Sequence, residues 1–153
     1  MDEIDKKIVD AIRRLSKQHF SIHEYTTAAK EAVEMAQSLG VAACIAYLGA
    51  DGRLDFFYRD EKALPVSIEL SQKKAYTAYA LRMSTIELKK LTKESLPLYQ
   101  LESSMNDITT IGGGIPVKNE FKECIGAVGV SGAADPLDDH RIAEIFSDTL
   151  RKF

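Results

Sequence analysis

The chain has 153 residues, 45% hydrophobic and 28% charged, with two cysteines and a formal net charge of −3. That length and apolar content suit one domain around a single core. The acidic balance argues against nucleic-acid binding, which needs a basic face, and no apolar run approaches the ~20 residues of a membrane span.

Ile4, Ile8, Ile12 and Leu15 recur at helical spacing with Lys6, Lys7, Arg13 and Arg14 between them. This pattern predicts an amphipathic helix over about 2–17, with Asp2 as N-cap and acidic residues favouring the first turn. The acidic start lacks the apolar core of a signal peptide. With Cys44 and Cys124 inside apolar runs, the expectation is a cytoplasmic protein with reduced thiols. Ser21-Ile22-His23-Glu24 is a capping-box pattern that opens a second helix, and Gly40 stops it. Its stripe of Ala28, Ala29, Ala32 and Ala36 permits close packing.

Val41 to Leu48 reads as a buried strand, Asp51-Gly52 as a hairpin turn and Leu54 to Tyr58 as the returning strand. A long helix follows over about 67–82, with Pro65 just before it. Ser84-Thr85-Ile86-Glu87 caps another. Residues 92–106 lack a period and read as loop with one short helix. Ile108 to Ile111 is predicted as a strand, Ile115 to Lys118 and Glu123 to Val130 as a hairpin around Asn119-Glu120-Phe121, and residues 136–151 as the last helix. Hairpins dominate, so the sheet should be mainly antiparallel and the fold α+β.

The glycines carry the sharpest signal. Gly112, Gly113 and Gly114 precede one strand, while Gly126, Gly129 and Gly132 punctuate another. Glycine within a strand pattern marks close approach of another backbone or a ligand. Neither corner matches a known phosphate or nucleophile motif. Ile115-Pro116 follows the first where a P-loop needs Gly-Lys-Ser/Thr, and Ala133 stands where a nucleophile elbow needs glycine after Ser131. His19 and His23 are four apart, but the Ser21 cap between them breaks the helix, so no shared metal site is expected. Either could serve singly as a haem axial ligand. Lys73 and Lys74 on the long helix cannot point the same way, so one is solvated and the other could reach the glycine corners and bind an acidic ligand group. Asp138 and Asp139 suit the dipole of the last helix, and His140 reads as a solvated polar residue.

Four segments together resemble the GlcG/HbpS family, which includes the C-terminal domain of PduO-type proteins. They are Ser71-Gln72-Lys73-Lys74-Ala75-Tyr76-Thr77-Ala78, then Arg82 and Thr85, then Gly112 to Val117, then Ile125 to Gly132 followed by Asp139. The resemblance runs from about Ser21 to the C-terminus. It implies a profilin-like α/β/α domain over 21–153, with a five-stranded antiparallel sheet in the order 2-1-5-4-3 and residues 1–20 as an added helix. It also implies a homo-oligomer, haem or a corrinoid-related ligand, and an association with glycolate, glycerol or diol utilisation.

The reading that results is a small-molecule-binding module with no catalytic residue assigned. Lys74, Thr77, Gly112, Gly113, Gly114, Ser131, Gly132 and Asp139 would line its pocket, and His19 and His23 are the haem axial candidates. Two alternatives stand beside it. One is an enzyme of small oxygenated metabolites using Ser131 and Asp139. The other is an accessory partner of a diol- or glycerol-utilisation enzyme, with the leading helix as its contact surface.

Overall fold

The computed structural model describes residues 1–153 apart from the side chains at 14 and 15. In chain order the elements are α1 (Glu3–Ser16), α2 (Ile22–Ser38), β1 (Cys44–Leu48), β2 (Leu54–Arg59), α3 (Pro65–Leu81), α4 (Thr85–Leu91), α5 (Leu101–Ser104), β3 (Gly114–Lys118), β4 (Cys124–Ser131) and α6 (Pro136–Arg151). The strands form one antiparallel sheet in the order β2-β1-β4-β3. α3 packs on one face, against β1, β3 and β4. α6 covers the other face and carries α2.

Local chemistry places most boundaries. The Ser21 hydroxyl accepts from the Glu24 amide while the Glu24 carboxylate accepts from the Ser21 amide, completing the capping box. Gly40, at φ +70°, turns the chain out of α2. Pro65 is itself the first residue of α3, where its missing N–H leaves no helical bond unmade. Ser84 caps α4 and Asp135 caps α6. Gly52, at φ +77°, closes the β1–β2 hairpin. In the β3–β4 turn the Asn119 carboxamide accepts from both the Phe121 and Glu123 amides.

The two sheet faces differ in kind. Ile45, Tyr47, Val128 and Val130 point toward α2 and α6 and join Tyr25, Ile142, Phe146 and Leu150 in the main core. The opposite face is built from small residues. Gly114 and Gly129 are register partners on adjacent strands. A Cβ at Gly129 would strike the Ser71 carbonyl and the Ala75 amide, and one at Gly114 would strike the Lys74 carbonyl. The bare floor thus lets one turn of α3 lie directly on the strands.

The sheet has four strands, not five. Residues 108–111 do not join it, and side chains take the amides of 109–111. The Thr109 amide donates to Thr77 Oγ1 (3.0 Å), the Thr110 amide to Glu102 Oε1 (2.7 Å) and the Ile111 amide to Thr109 Oγ1 (3.2 Å). β3 is therefore an edge strand, which is why Pro116 is tolerated within it. Cys44 is level with Ser131, and Cys124 with Lys118 at the far end of β4, so both thiols are free. Among the described residues no helix is long and apolar enough to cross a membrane.

Gly129→Ala should cost about 2–3 kcal/mol, because the added methyl meets α3 backbone that cannot step aside. Gly40→Ala, with open space around it but a left-handed φ, should cost about 1 kcal/mol. Urea midpoints at constant slope would show this ranking; equal losses would contradict it.

Candidate functional site

The two glycine corners do meet, but on a buried ion pair and not on a hollow. The Gly113 carbonyl accepts from the Val130 amide at 2.9 Å. Gly113 sits at φ +127°, and a Cβ there would lie 3.0 Å from Asp139 Cβ and 3.1 Å from Lys74 Cδ. Lys74 Nζ donates to Asp139 Oδ2 and to the Val130 carbonyl, both at 2.9 Å. Asp139 Oδ1 accepts from the Ala133 amide at 2.9 Å. Both side chains are almost entirely buried. Burial pushes the Lys74 ammonium below its usual range and the Asp139 carboxyl above its own, and each partner's charge opposes that shift. The pair ties α3, β4 and the first turns of α6 into one unit.

This geometry corrects the expected pocket. Packed protein fills the space between the corners, so a side chain at Gly113 would disturb folding before it disturbed binding. Thr77 is fully buried and anchors residues 107–109 through its hydroxyl. Gly114 donates its amide to Thr85 Oγ1. Ser131 is buried at the end of β4, and Gly132 lies against the Ala42 carbonyl and Ala43. Gly112 lines a surface groove of about 360 Å³ with Ile86, Lys90 and Pro136, and Gly132 is exposed at the end of β4.

The openings lie at the periphery. His19, Phe20, Ile22, Tyr25, Asp55 and Phe56 line a cleft of about 340 Å³ at the start of α2. Its aromatic wall is ordered: Tyr25 and Phe56 stack at 5.5 Å, and Phe20 meets Tyr25 edge-on at 5.8 Å. The Tyr25 hydroxyl donates to Asp55 Oδ2 at 3.2 Å, and burial together with the Asp55 charge pushes its pKa well up. Ile22 is 83% exposed over this wall. His19 and His23 part company here. His19 faces the cleft, whereas His23 lies exposed on α2 and is not among the lining residues.

A second groove, of about 420 Å³, runs between α4, β3 and α6 and is lined by Ser84, Ile86, Lys90, Ile115, Pro116 and His140 among others. His140 is more than a solvated polar residue. Its ring is held by Glu144 (Nε2···Oε1 2.9 Å), and its Nδ1 is buried without a partner. The sequence signal was the four-residue spacing of His140 and Glu144 on one helix face.

Comparison with known proteins places this geometry in context. Residues 20–145 match the family model described as haem degrading protein HbpS-like. The chain is 36% identical over 119 residues to the corrinoid adenosyltransferase PduO of Salmonella typhimurium, covering 77% of this chain and 35% of that protein. It thus spans about a third of that relative's length. It is also 36% identical over 110 residues to an uncharacterized 15.0 kDa protein of the dhaT-dhaS intergenic region of Citrobacter freundii, covering 71% and 77% of the two chains. Among solved structures, the PduOC:heme complex aligns with a TM-score of 0.79 at 34% identity, over 85% of this chain and 94% of that one. HbpS aligns with a TM-score of 0.75 at 27% identity, over 85% and 89%.

The Lys74–Asp139 pair gives a signed prediction. Lys74→Met leaves a buried carboxylate without its partner and should cost about 3–5 kcal/mol at neutral pH, while Lys74→Met with Asp139→Leu should recover most of that loss. In the single variant the Asp139 carboxyl rises still further above its ordinary 3.8. A carboxyl whose folded pKa lies above its unfolded value takes up a proton on folding between the two, so stability rises as pH falls through the folded value. Chemical denaturation of Lys74→Met should show greater stability near pH 5 than near pH 8. The opposite slope would contradict this account.

Proposed function

Because the chain belongs to the HbpS-like family, we propose that it binds haem in the cleft at the start of α2, with His19 as the axial ligand. The observation that carries this reading is a single imidazole beside an ordered wall of Phe20, Tyr25 and Phe56, with Ile22 exposed above it. Apolar aromatic side chains beside one nitrogen ligand suit a porphyrin, so the residues present fit the group. Haem held there would supply a redox-active iron. The protein's part is to present the His19 nitrogen, to cover the macrocycle with apolar side chains and to limit water at that face. The solved haem complex of a 34%-identical relative with the same fold supports the same class of ligand.

In this reading the Lys74–Asp139 pair and its glycine cage are scaffold. They fix α3 and α6 on the sheet and touch no ligand. Ser131 and Asp139 are buried and line none of the clefts described above, so the binding module is favoured over an enzyme using those two groups. Likeness to PduO and to the protein of the dhaT-dhaS region supports an accessory place beside diol- or glycerol-utilisation enzymes. The adenosyltransfer named for PduO is not carried over, since the match covers about a third of that protein.

Titration with haemin, followed in the Soret band, tests the assignment. The wild type and His23→Ala should give a shifted band, and His19→Ala should lose it. Retention in His19→Ala with loss in His140→Ala would move the ligand to the α4–α6 groove. A response to a cobalamin and none to haemin would contradict the haem reading altogether.

A further inference from the structure

The leading helix is complete but unpartnered. Asp2 and Asp5 cap it reciprocally: the Asp5 amide donates to Asp2 Oδ1 (2.8 Å) and the Asp2 amide to Asp5 Oδ2 (3.2 Å). Its apolar stripe faces solvent, with Ile4 67%, Ile8 52% and Ile12 58% exposed. Among the described residues α1 makes no substantial contact with any other helix or strand, and it lies outside the family match, which begins at residue 20. A helix of 14 residues is marginal in water unless its apolar face packs. Three regularly spaced, exposed isoleucines on a helix rich in charged residues therefore call for a partner.

We infer that the partner is α1 of a second copy, packed antiparallel, so that the added helix joins two chains through a contact separate from the family domain. The stripe is symmetric. Ile4 and Ile12 each lie four residues from Ile8, so a twofold axis at Ile8 sets Ile8 against its own copy and Ile4 against Ile12 of the other. The charges select direction. Glu3 and Asp5 lie in the first turn behind Asp2, while Arg13 stands near the end. Antiparallel pairing brings the acidic turn level with the basic one and opposes the helix dipoles. Parallel pairing sets like against like. The same surface on both chains makes the contact closed, so it yields pairs and not fibres.

Disulfide trapping in the full chain tests this, in a Cys124→Ser background with Cys44 left in the core. Under mild oxidation Ile8→Cys should cross-link to a dimer several-fold more than Ile4→Cys or Ile12→Cys alone, and mixing the last two should restore the yield. Ile8→Glu should abolish trapping of an Ile4→Cys and Ile12→Cys mixture while leaving the haemin response intact. Equal cross-linking at all three single positions would overturn the antiparallel arrangement. No cross-linking at Ile8→Cys would overturn pairing with a second copy and leave the stripe to a different protein or to a lipid surface.

Discussion

One ammonium–carboxylate contact, Lys74 to Asp139, organises the centre of this molecule. Its two side chains come from helices on different parts of the sheet, and the carboxylate's second oxygen is held by the amide of Ala133. Water is excluded from both groups, so the pair survives only if nothing larger than hydrogen occupies the approach. Gly113 meets that condition on one side, with a backbone conformation that other residues adopt at a cost. Gly114 and Gly129 meet a related condition beneath α3, where even a methyl group would collide with main chain. Glycine here lowers the barrier to close packing and is not an invitation to a guest.

That arrangement shifts the functional surface outward. In the proposed reading, a centre filled by a charged pair and bare backbone leaves the binding work to side chains at the rim. In that reading the cleft beside His19 owes its lining to the start of α2. The Ser21 cap fixes the first turn, Phe20 and Ile22 flank it, and Tyr25 one turn later reaches down to Asp55 on β2. The scaffold and the ligand surface thus depend on different parts of the sequence, and a change in one need not disturb the other.

Much of this was legible beforehand, and the failures share a cause. Caps and turns are local, so Ser21, Ser84, Gly40 and Asp51-Gly52 identified their boundaries from spacing alone. The resemblance carried by the Ser71–Ala78 and Gly112–Val117 segments also led to the right family and to an antiparallel sheet between helices. Ile108-Thr109-Thr110-Ile111 is a run of β-branched residues, a type that favours extended backbone. Its amides are instead claimed by Thr77, Glu102 and Thr109, partners that no periodicity announces. The glycines correctly signalled close approach, but composition cannot distinguish a ligand from a neighbouring helix. Lys74 and Asp139 lie 65 positions apart, and only the fold shows that each is the other's counter-ion. The isoleucines of α1 gave a true helix and a silent one, since an apolar stripe does not say what will cover it.

The claim that binding occurs at the rim and not between the glycine corners is tested most directly by the paramagnetic effect of ferric haem on backbone amide resonances of the labelled protein. Signals of residues 19–25 and 55–56 should broaden on addition of haemin, while those of 112–114 and 131–133 should keep their intensity. Broadening centred on the glycine corners, with the start of α2 untouched, would contradict the account.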